Sequence, residues 1–325
     1  MSQFEVVKYN SDYFSAWNEF ISRSKNATFL FHRDFMEYHK DRFEDYSLLV
    51  FEKKKLVALF PANRVGADLF SHRGLTYGGL LLPSEIKLEK TLHIFKSLLE
   101  FIASEGFEKI QLKLMPKIYH AIPSDEMDYL LFLTEAKLVK REVSAAIGIF
   151  SKLKIQKNRI EGVKKAENAG LVIKEEKNFN RFWNEILIPN LADKHRANPV
   201  HSSEEIRLLA EIFPMNIRQF NVFKNEKIVA GATIFESENV AHVQYISGNE
   251  EKQTLGSLDF LFEHLINEVF QNKKYFDFGT SNEEAGKKLN SGLMFWKECY
   301  GARSISQDTY EINPKLCINL QNVLL

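Results

Sequence analysis

The sequence predicts an α/β protein with mixed sheets, built in tandem from one order of elements used twice. Two observations carry this reading. The first is a repeated hairpin: "VFEKKKLVALF" from Val50 and "VFKNEKIVAGATIF" from Val222 align without a gap. Val50 and Val222, Phe51 and Phe223, Lys55 and Lys227, Val57 and Val229, and Ala58 and Ala230 are identical, and Leu56 matches Ile228. Each copy reads as a strand, a turn of charged residues and a second strand. The second observation is that the flanks match as well. A strand and two amphipathic patterns precede each hairpin: "FEVVKY", "DYFSAWNEFISRS" and "HRDFMEYHKDRF" in the first half, "LVIKEE", "FNRFWNEILIPNLADKH" and "SSEEIRLLAEIF" in the second.

The elements after each hairpin follow the same order. A strand comes next ("GLTYGGLLL", "VAHVQYISG"), then a long amphipathic helix ("EKTLHIFKSLLEFIASEG", "SLDFLFEHLINEVFQNK"). A strand follows ("KIQLKLM", "YFDFG"), then a helix and a last strand ("KREVSAAIGIF", "RSISQDTYEI"). Each half therefore reads β-α-α-β-β-β-α-β-α-β. The division is drawn at 1–150 and 151–325, because "SKLKIQKNRIEGVKKAENAG" after Phe150 reads as a basic helix that opens the second half and ends at Gly170. The SSEE run supplies N-cap chemistry for the helix it begins.

Composition narrows the function classes. A hydrophobic fraction of 45% and a charged fraction of 26% are those of a soluble globular protein. The 43 basic and 43 acidic side chains cancel, so no global field draws in nucleic acid or anionic lipid. The N-terminus lacks signal-peptide regions and no apolar run is long enough to span a bilayer, so the expectation is a cytoplasmic protein without a membrane span. Cys299 and Cys317 have no metal-ligand spacing and are expected as reduced thiols, with no metal site. Most of the 27 Phe must be core, with a minority free to line a ligand cleft. "DFG" at Asp277 and "HRD" at His32 match kinase triplets, but they lie at opposite ends of the chain with no Gly-rich loop, and the kinase reading fails.

Three stretches resemble the FemAB-like branch of the GNAT acyltransferase superfamily. "KNRIEGVKKAENAGLVI" is similar to the basic helix that opens the second Fem-type domain, "EKIVAGATIFESENVAHVQYISG" to its central strands, and "YFDFGTSNEEAGKKLNSGLMFWKECYGAR" to its closing signature. Bacterial GNAT proteins associated with surface-polysaccharide genes have similar ends. The resemblance implies two GNAT-like domains, the first degenerate and structural or acceptor-binding, the second carrying donor and catalysis. It implies an N-acyltransferase moving an acyl group from acetyl-CoA or another acyl-CoA to an amine. The expected acceptor is an amino sugar or cell-envelope precursor, nucleotide-linked or lipid-linked. Two alternatives stay open: a Fem-type aminoacyltransferase using aminoacyl-tRNA in peptidoglycan bridge formation, the one case that needs nucleic acid, and a non-catalytic GNAT-scaffold binding protein.

Direct acyl transfer to an amine needs a phosphate site, a polarised carbonyl, a base and an acid. "QTLGSL" stands where GNAT proteins bind pyrophosphate, so Gln253, Thr254, Gly256 and Ser257 are the donor-binding candidates, although Leu258 departs from the small residue of the pattern. On the central strand, alternation puts His242 and Gln244 on one face and Tyr245, a candidate acid, on the other. His195 and His201 in "ADKHRANPVHSS" are base candidates, since His titrates near neutrality, and Glu283 is a further one. The acceptor side is drawn from Tyr77, Gln244, Asp277, Ser281, Asn282, Asn290 and Lys297. Asp277, Lys297, Tyr245 and Tyr77 also have structural readings: Asp277 as the cap of a turn, Lys297 on a solvated helix face, Tyr245 as core, Tyr77 in a glycine-kinked strand.

Overall fold

A computed structural model describes residues 3–195 and 198–325, except the side chains of Lys194 and His195. Contacts group the chain into two units: Met1–Glu142 with Ser306–Leu325, and Val143–Ile305. The boundary drawn on sequence at 150 thus falls eight residues beyond the division of contacts, and the chain's last twenty residues pack with its first half. The fold class is the mixed α/β arrangement predicted.

The first unit contains β1 (Phe4–Lys8), α1 (Phe14–Ser22), α2 (Arg33–Met36), β2 (Glu44–Asp45), β3 (Leu48–Glu52), β4 (Lys55–Phe60), β5 (Asn63–Val65) and β6 (Asp68–Phe70). After these come α3 (Leu88–Ser104), β7 (Lys109–Lys113), α4 (Glu126–Leu133) and the first residues of β8 (Lys137–Gly148). β1, β3 and β4 form an antiparallel sheet. β2, β5 and β6 are antiparallel, and β6 runs parallel to β7. Leu92, Phe95, Leu98, Leu99 and Ile102 of α3 are buried against Leu48, Val50, Ala58 and Phe60. That is the 3.6-residue stripe of a helix laid on the inward face of a hairpin. The expected strand "GLTYGGLLL" is present only as single bridges, Leu59 to Leu81 and Gly78 to Leu114. At Gly78 the backbone comes so close to Ser71 that an added Cβ would collide with it.

The second unit contains the rest of β8, then α5 (Lys157–Asn168), β9 (Val172–Glu176), α6 (Asn180–Phe182), a π-turn (Trp183–Leu187), α7 (Ile188–His195), α8 (Ser203–Ile212), β10 (Ile217–Lys224), β11 (Lys227–Glu236) and β12 (Val240–Gly248). It continues with α9 (Lys252–Leu255), α10 (Ser257–His264), β13 (Tyr275–Thr280), the short pair β14 (Asn282–Glu283) and β15 (Lys288–Leu289), α11 (Ser291–Glu298) and β16 (Arg303–Ile312), whose last residues belong to the first unit. β9, β10, β11 and β12 are antiparallel neighbours. β12 then runs parallel to β13, and β13 antiparallel to β8.

The repeat is visible in the register. Val50 faces Ala58, Phe51 faces Leu56 and Glu52 faces Lys55; Val222 faces Ala230, Phe223 faces Ile228 and Lys224 faces Lys227. Both hairpins shift register at the same aligned step, and both turn through two residues at positive φ, Lys53–Lys54 and Asn225–Glu226. Two left-handed residues give the turn whose twist suits a tight hairpin. The SSEE reading also holds: Ser202 and Glu205 form a reciprocal capping box on α8. Among the described residues, no helix is long and apolar enough to cross a membrane.

Candidate active site

In the second unit the central strands are built to separate. β12 and β13 pair in parallel only from Val240–Tyr275 to His242–Asp277. Beyond that step β12 continues to Gly248 with one ladder edge unpaired by β13. A cleft of about 890 Å³ lies in the same region. Its lining comes from α5 (Asn158, Arg159, Gly162, Lys165), α7 (Asn190, Leu191), β12 (Ile246, Ser247), the α9–α10 segment (Lys252, Gln253, Leu258, Asp259) and α11 with its cap (Asn290, Leu293, Trp296). Trp296 is the aromatic side chain in that lining; the phenylalanines expected to contribute are elsewhere, with Phe262, Phe276 and Phe278 packed among Trp296 and Tyr300.

A bulge sets what β12 presents. Tyr245 faces Thr233 while Val243 faces Ile234, so Gln244 is an extra residue in the ladder. Simple alternation would separate His242 from Tyr245. The bulge shifts the phase, and His242, opposite Phe235, shares its face with Tyr245, opposite Thr233. The sequence expectation for this strand is corrected on that point. Tyr245 meets His201 there: the hydroxyl lies 2.6 Å from His201 Nδ1 and accepts the His201 backbone N–H at 3.2 Å. The ring packs edge-on against Trp183 at 4.8 Å. Burial pushes the Tyr245 phenol up to about 12, partly offset by hydrogen bonds from His201 and Gln244. His195 closes α7, and its side chain lies outside the described residues.

"QTLGSL" is organised differently from a simple phosphate loop. Lys252–Leu255 form one turn of helix, Gly256 is left-handed at φ 65°, and α10 starts at Ser257. A Cβ on Gly256 would run into the carbonyl of Gly162, so this glycine is the point where α10 crosses α5. A Cβ on Gly162 would in turn collide with the Asp259 carboxylate. Gln253 lines the cleft, Thr254 is exposed, and Ser257 is fully buried. In the first turn of α10, Asp259 Oδ1 accepts from Arg159 at 2.9 Å and from the Tyr300 hydroxyl at 2.7 Å. Burial raises the Asp259 pKa, with Tyr300 and Arg159 opposing the rise. A carboxylate in the first turn complements the helix dipole and takes the place an anion would favour.

Around the end of β13 a second group gathers. Asp277 is 3% exposed; Oδ1 accepts the Gly279 N–H at 2.8 Å and Oδ2 lies 2.9 Å from His242 Nδ1. Lys297 is buried on α11, and its ammonium donates to the carbonyls of Gly279 at 2.9 Å and Thr280 at 2.8 Å. Burial lowers its pKa to about 8, with Asp277 opposing. A solvated helix face is therefore not where this lysine sits. Ser281 is buried at 3% exposure. Asn282 accepts the Val143 N–H at 2.6 Å and donates to the Gly286 and Lys288 carbonyls, closing the β14–β15 turn. Asn290 caps α11 through Leu293 N–H at 3.0 Å and touches exposed Glu283 at 3.4 Å. Tyr77 belongs to the first unit, 3% exposed, with its hydroxyl 3.0 Å from Thr28.

The arrangement brings Gln253 and Asn290 to one cleft, His201 to Tyr245, and Asp277 to Lys297 through Gly279. Sequence reasoning missed His242 as the partner of Asp277, and Arg159–Asp259–Tyr300 as a hydrogen-bonded triad. One signal was available for the first: each is the third residue of its strand, and each interrupts an apolar run. Two parallel strands entering in register make such positions neighbours.

No protein-family model matches the sequence, and no curated protein is significantly similar to it. Solved structures do match. FemX superposes over 98% of this chain and 99% of its own, with a TM-score of 0.67 at 10% identity. L-PGS from Bacillus licheniformis covers 96% of this chain and 94% of its own, at 0.60 and 13%. A tandem GNAT protein from the clavulanic acid biosynthesis pathway covers 96% and 98%, at 0.52 and 11%. At such identities the likeness is one of architecture, and on that architecture the chain has the FemAB-like tandem GNAT fold.

Proposed function

We propose that this chain is an acyltransferase that carries an activated acyl group to an amine by direct attack, with the donor held in the second unit. The observation that supports this most is the parting of β12 and β13 after His242–Asp277, beside the cleft lined by Ile246 and Ser247. An extended donor arm can add to the unpaired edge of β12 as a further strand would, and main-chain N–H groups there can polarise its carbonyl. Lys165 and Lys252 bring positive charge to the same cleft, beside Glu161 and the Arg159–Asp259 pair. On this reading the donor is acetyl-CoA or another acyl-CoA, and the acceptor is the amine of an amino sugar or cell-envelope precursor. On the same reading Tyr245, whose hydroxyl lies 2.6 Å from His201 Nδ1, protonates the leaving group.

A second reading has one specific observation in its favour. Asp259 occupies the first turn of α10, which repels a diphosphate at that position. A donor without a diphosphate there, such as the aminoacyl ester of a tRNA, fits this better. The test is the unfolding midpoint of the chain with millimolar coenzyme A or acetyl-CoA. Ligand bound only to the folded state at 100 times its Kd adds about 2.7 kcal/mol of stability. The acyl-CoA reading expects a rise that Lys252→Glu abolishes. Gly256 is unsuitable as the control, because its substitution disrupts α5–α10 packing directly. No rise, together with salt-sensitive binding of RNA, would transfer the assignment to the tRNA-dependent reading. Neither response would leave a binding role on this scaffold.

A further inference from the structure

We infer that His242, oriented by Asp277, is the base that takes the proton of the attacking amine; this rests on the acyl-transfer reading above. Three observations converge on it. His242 and Asp277 are the last paired residues of β12 and β13, so the dyad stands at the vertex where the strands part. The imidazole side chain keeps 16% of its surface exposed and the carboxylate 4%, so substrate can approach the ring and not the acid behind it. Both carboxylate oxygens have donors, Gly279 N–H at 2.8 Å and His242 Nδ1 at 2.9 Å. A carboxylate only accepts, so Nδ1 carries a hydrogen, and in the neutral imidazole the lone pair is then on Nε2.

The dyad is also braced. Gly279 is left-handed at φ 72°, and an added Cβ there would come within 3.3 Å of His242 Cε1, so the ring lies over this glycine. Lys297 clamps the next stretch of strand through the Gly279 and Thr280 carbonyls. Asp277 and Lys297 act through His242 and are positioning residues. The bulge at Gln244 then places Tyr245 on the same face as His242, which puts base and acid side by side along one strand.

The step balances without a further reactant. The amine nitrogen attacks the donor carbonyl carbon, its proton passes to His242 Nε2, and the C–S bond of a thioester (or the C–O bond of an aminoacyl ester) breaks. The leaving sulfur or oxygen takes a proton from the Tyr245 hydroxyl, and solvent returns the pair to their starting states. A donor anchored near Lys252 runs back along β12 to reach this vertex. From Ser247 to His242 the strand spans roughly 15 Å, at about 3.3 Å per residue.

The test has two arms on the full chain. Imidazole nitrogen NMR reads the tautomer of His242, assigned by its loss in His242→Gln, without needing any substrate. Wild type is expected to carry the hydrogen on Nδ1. In Asp277→Asn the Gly279 N–H keeps the amide oxygen, the amide NH₂ turns to His242, and the hydrogen moves to Nε2. The second arm follows thiol release from acetyl-CoA with D-glucosamine as the probe amine. His242→Gln is expected to lose about 100-fold or more in kcat, in the range of general-base catalysis, with KM changed less than about threefold. Asp277→Asn should lose kcat in the same direction while keeping the wild-type unfolding midpoint. Hydrogen on Nε2 in the wild type, or a His242→Gln chain with wild-type kcat, overturns the assignment. A wild-type chain that has the expected tautomer but neither binds nor turns over the thioester overturns the acyl-CoA reading, and the base role with it.

Discussion

Lys297 shows how one side chain ties stability to pH. Its ammonium is buried on two carbonyls, and its pKa near 8 lies below the 10.5 of an exposed lysine. Between those values the unfolded chain binds more protons than the folded one, so raising the pH through this window stabilises the fold at this residue. Below pH 8 both states are charged and the burial cost is constant. Lys297→Met removes the titration. Urea unfolding at pH 7.5 and pH 10 should therefore show the wild type gaining about 1–3 kcal/mol on the variant across the window. A stability difference that does not move with pH would mean that the ammonium is not desolvated as described.

Among the elements, α5 and α10 show why the donor loop was hard to read. A glycine at a helix start is the mark of an anion site and equally of a close helix crossing. Only the partner helix decides between them, and here Gly256 lies against the Gly162 backbone. Gly162→Ala should cost about 1–3 kcal/mol by overpacking against Asp259, and Gly256→Ala more, because its φ of 65° adds strain. Thermal or urea unfolding measures both, and a neutral Gly256→Ala would refute the crossing. The same logic separates what was legible from what was not. The paired hairpins, the α8 capping box and the α3 stripe are local, written in residues two to four apart. The β12 bulge depends on β11, and the Asp277–His242 pair on two strands 35 residues apart. "GLTYGGLLL" has the composition of a strand, but it pairs only at the single bridges Gly78–Leu114 and Leu59–Leu81, which depend on segments distant in sequence.

At the scale of the whole molecule, the tandem repeat is real but the chain does not divide into two consecutive pieces. Ser306–Leu325 belongs with Met1–Glu142, and β16 supplies the residues Thr309–Ile312 that pair with β7. Leu320, 2% exposed, is buried in the same cluster as Leu92, Phe95 and Leu99 of α3, and Cys317 and Val323 pack beside it. A half defined as residues 1–150 would lack this cover and expose part of the α3 surface. Leu320→Ala should then cost about 2–5 kcal/mol, the range for emptying a core site of this size. Native-state hydrogen exchange locates the loss: amides of α3 and β7 should exchange faster in the variant. Unchanged protection there would mean that the tail covers the first unit without stabilising it, and that residues 1–150 can fold without the end of the chain.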